Sequence, residues 1–195
     1  MNRYTLHINI FDLALVGAIF ISFTVAVFLW FAKRTSRAAN RFLALALITL
    51  ILEMARLLVN DVGSPAYIPS WSWLPLQFSL ATGPLIYFYV LKTTRPEFKL
   101  QQKYWLHFSP LLLELTVQIS VVAHTPAFQH LHIILQLATF VSVAAYLYLS
   151  HTSIENYYDR QKFCGNYRHR YDLRWLHVLI KSFGIFWLFW IPVSA

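Results

Sequence analysis

Six long apolar stretches run along this chain, at about residues 13–31, 42–59, 73–91, 105–123, 131–150 and 175–191, separated by five polar connections. Each approaches the roughly 20 residues that an α-helix needs to cross a hydrocarbon core about 30 Å thick. None shows the two-residue alternation of a half-buried strand. The pattern predicts an all-α, polytopic membrane bundle of six transmembrane helices. Residues 1–195 then form a single integral membrane domain, with no room for a second, soluble one.

The polar residues are as ordered as the apolar ones. Lys and Arg count 4, 0, 4, 0 and 5 along the five connections, and these connections hold 13 of the 16 in the chain. Lys33, Arg34, Arg37 and Arg41 lie in the first, and Lys92, Arg95, Lys99 and Lys103 in the third. Arg160, Lys162, Arg168, Arg170 and Arg174 lie in the fifth, while the second holds only Asp61 and the fourth no charge at all. Cytoplasmic loops are the ones enriched in Lys and Arg. The expected topology therefore places connections one, three and five in the cytoplasm and both termini outside. A signal peptide would carry its basic flank before the apolar run; here Lys33-Arg34 follow a run too long for a signal core, so a retained helix is expected.

Composition agrees, with 58% hydrophobic and 12% charged residues, about half the charged share of soluble domains. The +8 formal charge is explained by orientation-setting loops rather than by a nucleic-acid partner. The lipid bilayer is the partner the sequence implies directly. The one cysteine, Cys164, has no intrachain partner and falls in a connection expected to face the reducing cytoplasm. Trp and Tyr favour the headgroup region. Trp71, Trp73, Tyr87, Tyr89, Tyr104, Trp105, Tyr146, Tyr148, Trp175, Trp187 and Trp190 are accordingly read as belts near the span ends. Residues 154–163 are read as a stretch that could lie along the interface.

Ionisable groups inside a span are costly and are candidate functional residues by default. Glu53 and Arg56 lie one turn apart on span two. They read either as a self-neutralising pair joining span two to a neighbour or as the floor of an outward-facing ligand cavity. Glu114 lies near the middle of span four, with Gln118 one turn further out. Glu114 either bonds to a neighbouring helix or serves a ligand- or proton-sensing role. Helical rise puts Glu53 and Glu114 at similar depth, so a shared site with Arg56 is expected if spans two and four adjoin. Gln136 reads as helix–helix glue, and Lys181 as able to snorkel back to the cytoplasmic interface. Thr82-Gly83-Pro84 predicts a kink in span three, either structural or a signalling hinge at Gly83 and Pro84. His124, His130 and His132 cluster in sequence, but i,i+2 spacing points the last two apart, and no metal site is expected. No HExxH, P-loop, GxSxG or GxGxxG occurs. Neither an enzyme nor a cofactor is expected.

Four segments carry a family resemblance. They are Ala39-Asn40-Arg41-Phe42-Leu43-Ala44-Leu45 entering span two and Thr82-Gly83-Pro84-Leu85-Ile86-Tyr87-Phe88-Tyr89-Val90 in span three. Leu106-His107-Phe108-Ser109-Pro110 opens span four, and Asp172-Leu173-Arg174-Trp175-Leu176 opens span six. In this order and spacing they resemble the N-terminal membrane half of membrane-anchored AraC-type transcriptional regulators of Bacteroidetes-like bacteria. The resemblance covers about residues 30 to 191. It implies a multi-pass protein of the bacterial inner membrane that senses an unknown small-molecule or envelope signal, with self-association open. It also implies a seventh helix and a cytoplasmic helix-turn-helix domain, and no residue here corresponds to them. The expectation is a sensory or anchoring module truncated before its output, binding no nucleic acid itself. A small transporter or channel-like protein is the alternative; it predicts paired broken helices, and only span three carries Gly-Pro.

Overall fold

An apolar helix whose large side chains point outward opens the described structure. The computed structural model describes residues 9–32, 37–62, 78–99, 101–122, 129–163 and 173–194, and the side chains of 120–122, 129–133, 161–163 and 190–194 are not described. Helix α1 (Ile10–Phe31) is 22 residues long, about 33 Å by helical rise. It buries only Asp12, Leu15 and Ala26, whereas Phe20, Phe28 and Phe31 are each more than 70% exposed. Water does not tolerate so continuous an apolar surface, and lipid does. Asn9 caps the helix start: its side chain accepts from the Asp12 amide at 2.9 Å, and Asp12 accepts in return from the Asn9 amide at 2.8 Å.

Five further α-helices follow: α2 (Arg37–Asp61), α3 (Ser79–Thr94), α4 (Ser109–Val122), α5 (Gln129–Phe163) and α6 (Arg174–Ser194). A 3-10 helix, Gln102–Phe108, leads into α4. Among the described residues there is no strand. The protein is therefore all-helical, and α1, α2 and the Ile134–Arg160 part of α5 are long and apolar enough to cross a membrane.

Consecutive helices alternate in direction. At one end Asn9, the cap of α1, donates to Asp61 of α2 at 3.0 Å, while at the other Arg41 sits 5.4 Å over the Trp30 ring. Phe42 of α2 meets Phe88 of α3, and Thr49 meets Thr82 one to two turns away, so α2 and α3 are antiparallel. Helix α4 runs back along α3, from Phe108 beside Phe88 to Glu114 beside Ser79. Leu135 of α5 packs with Leu80, Tyr146 with Tyr87 and Ile154 with Val90, so α3 and α5 are parallel. Leu176 and Ile180 of α6 pack on Ile154, and Gly184 lies by Leu147. This serpentine gathers Arg37, Arg41, Lys92, Arg95, Lys103 and Arg174 at one end of the bundle. Asp12 and Asp61 lie at the other.

Helix α3 is the central strut. Thirteen of its 16 residues are buried, chiefly between α2 and α5. Thr82-Gly83-Pro84, where a kink is expected, lies within a helix that runs continuously from Ser79 to Thr94. Pro84 is its sixth residue, so the missing N–H leaves only the Leu80 carbonyl, near the helix start, without its i+4 donor. Gly83 is used for close approach, since a Cβ there would lie 2.9 Å from Cδ2 of Tyr146.

Three sequence expectations need correction. Residues 154–163 do not form a separate interfacial segment; they continue α5, whose 35 residues span about 52 Å. Ile154 drives this, being fully buried against Val90, Leu176 and Ile180. Span four begins as a 3-10 helix and becomes α-helical only at Ser109, because Pro110 suits a first α-helical turn. Tyr87, Tyr89 and Tyr146 are not belt residues: Tyr89 is buried, and Tyr87 and Tyr146 pack on each other inside the bundle. Tyr148, two positions on from Tyr146, is the one that faces out. Trp71, Trp73, Cys164, Arg168 and His124 lie outside the described residues, as do the side chains of His130, His132 and Trp190.

Candidate functional site

The first amides of any α-helix lack intrahelical acceptors, and α3 begins inside the bundle. Its Phe78 cap position provides no side-chain acceptor. Glu114 supplies one from α4. Its Oε1 accepts from the Ser79 amide at 3.1 Å and from Ser79 Oγ at 2.7 Å, and its Oε2 accepts from the Leu80 amide at 3.1 Å. Glu114 is wholly buried. A carboxyl group at a helix N-terminus meets both the orphan donors and the positive end of the helix dipole. One acidic residue thus fixes where α3 starts and joins α4 to it.

Arg56 stands on the other side of this junction. Its guanidinium lies within electrostatic reach of both Glu53, one turn earlier on α2, and Glu114 on α4. Glu53 is buried at 8% exposure, and Arg56 is partly buried. The three ionisable residues therefore influence one another electrostatically across α2 and α4, and it is Glu114 that bonds the start of α3. Gln118 follows Glu114 by one turn on α4 and is partly buried. All four lie in the half of the bundle away from the basic end. The arrangement links a charge cluster to the end of a buried helix.

Two features were not visible in the sequence reading. Thr49 and Thr82 share a buried hydrogen bond of 3.0 Å between α2 and α3, and Thr49 also donates to the Ala46 carbonyl at 2.7 Å. Hydroxyls of this kind join apolar helices side to side. At the basic end, His107 Nδ1 and the Tyr146 hydroxyl are 2.8 Å apart, and Phe88 touches Phe42, Tyr104, His107 and Phe108. Lys92 Nζ donates to the Pro96 carbonyl at 2.9 Å and also to that of Phe98, drawing the connection after α3 back onto the helix. The aromatic content of these segments was the available signal, but the headgroup preference of Tyr pointed it the wrong way.

Gly83 and Pro84 lie within α3, one turn in from the Glu114 junction and against Tyr146. Gln136 is partly buried on α5, and Lys181 is exposed on α6. No protein family, curated protein or solved structure matches this chain.

Proposed function

We propose that this chain is the membrane-embedded sensory or anchoring module of a one-component transcriptional regulator of the AraC type. Its output helix-turn-helix is a separate cytoplasmic domain not among these residues. In this reading all six helices cross the bacterial inner membrane, with the Lys/Arg-rich end in the cytoplasm and both chain ends outside. Helix directions alternate, as six crossings require, and among the described residues Arg37, Arg41, Lys92, Arg95, Lys103 and Arg174 lie toward one end of the bundle. The four resemblance segments lie together toward the basic end: three meet there, at Phe42, Phe88 and Phe108, and the fourth starts α6 with Trp175 beside Tyr89.

The observation that carries the sensory reading is the Glu114–α3 junction. A small-molecule or envelope signal arriving from outside engages Glu53, Arg56, Glu114 or Gln118 and alters how α3 is seated. Helix α3 carries that change through Gly83 and Pro84 to its far end, where Lys92 and Arg95 lie. Switching is then a shift between two seatings of one helix, which requires a ligand that prefers one of them. The test is the coding sequence around this chain, with immunodetection of the product using an antibody to residues 95–103. A longer product carrying a helix-turn-helix domain supports the proposal. A product of this size alone, with no such domain encoded alongside, defeats it.

A further inference from the structure

A cleft of about 460 Å³ opens between α5 and α6 on the surface of the bundle. Its walls are almost wholly apolar, with Val143 and Leu147 on α5 and Gly184, Trp187 and Leu188 on α6. Gly184 makes the room, because a Cβ there would lie 3.4 Å from the end of Leu147. The one charged residue in its lining is Lys181. Lys181 is exposed, and no ion pair forms on it among the described residues. It lies about 10 Å along α6 from Arg174, by helical rise, so its long side chain can reach back toward the basic end.

The polar groups around that end are arranged in line with the cleft. Arg174, His177, Lys181, Gly184 and Leu188 follow at spacings of three and four, which puts them on one face of α6. His177 stacks on Tyr158 at 6.0 Å and faces His151 of α5 at 5.3 Å. Glu155 and Asp159 are the acidic residues of α5 near this level, and Glu155 is turned to His151 at 3.6 Å. One face thus carries the cations Arg174 and Lys181 with a histidine between them and continues as an apolar chute.

We infer that this face is a binding site for an anionic phospholipid of the leaflet at the basic end. Its phosphate would sit among Lys181, His177 and Arg174, and one acyl chain would lie in the cleft over Gly184. Charge complementarity selects this occupant. An uncharged lipid tail alone would offer nothing to Lys181 at the level its side chain reaches, whereas a headgroup phosphate does. Basic pockets between membrane helices on the cytoplasmic side are suited to such headgroups.

The test uses the full chain in phosphatidylcholine vesicles containing phosphatidylglycerol or phosphatidylcholine with brominated acyl chains, read by tryptophan quenching. Subtracting the Trp187→Phe signal isolates Trp187. Brominated phosphatidylglycerol should be preferred about five-fold, the effect of roughly one lysine charge at a membrane surface. Lys181→Gln should bring the preference to near equality, and Lys181→Arg should retain it. Equal quenching by both lipids in the wild type overturns the site, as does an undiminished preference in Lys181→Gln. Trp187 is buried in the cleft wall, within range of bromines on a chain lying there; absence of quenching by either lipid means that no acyl chain enters the cleft, and this also overturns it.

Discussion

Replacing Glu114 tests the junction on which α3 is seated. Glu114→Gln keeps the shape but presents an amide N–H₂ to one of the donors that the carboxyl oxygens now accept, at Ser79 or Leu80. One buried amide is stranded, at about 1–3 kcal/mol. Loss of the charge at the helix start adds about 0.3–2 kcal/mol. Glu114→Leu strands both amides and the Ser79 hydroxyl, and it removes one of the two carboxylates that attract Arg56. About 3–5 kcal/mol is expected, the usual cost of breaking a buried charged contact from one side. Unfolding of the purified chain by increasing denaturing detergent, followed by helical circular dichroism, gives the order wild type, Gln, Leu. A Ser79→Ala/Glu114→Gln double mutant should be less damaging than the sum of its parts, because both act on one contact. Leucine at 114 as stable as glutamate, within about 0.5 kcal/mol, would refute the capping argument.

Gly83→Ala should force the Tyr146 ring aside and loosen its contact with His107, costing about 1–3 kcal/mol; recovery of much of that loss in Gly83→Ala/Tyr146→Ala identifies the clash as the cause. Thr49→Val and Thr82→Val should each destabilise by about 0.6–1.7 kcal/mol, with the double mutant little worse than either single one. If the two effects simply add, the threonines do not act through their shared bond. For topology, in a Cys164→Ser background, a cysteine replacing Asp61 should be labelled on intact cells by a membrane-impermeant maleimide. One replacing Arg95 should be labelled only after the membrane is opened, and the reverse pattern inverts the proposed orientation.

The all-helical class was legible because long apolar runs without strand alternation satisfy their backbone bonds within each helix. The charge count along the connections already held the segregation that the fold displays, with Arg41, Lys92 and Arg174 brought to one end by alternating directions. The length of α5 was not legible, because residues 154–163 are locally polar and gain their order from one buried isoleucine at 154. Glu53, Arg56 and Glu114 stood out because charge is rare in such helices. Their spacing along the chain nevertheless says nothing of what they touch. Glu114 and Ser79 are 35 positions apart, and neither carries a local capping signature. The same holds for Thr49 with Thr82 and for Gly83 with Tyr146. A sequence determines which residues cannot stay in contact with lipid or water unaided. Which distant donor, hydroxyl or ring answers each of them is decided only when the helices pack, since that match depends on rotation and depth that no single helix specifies.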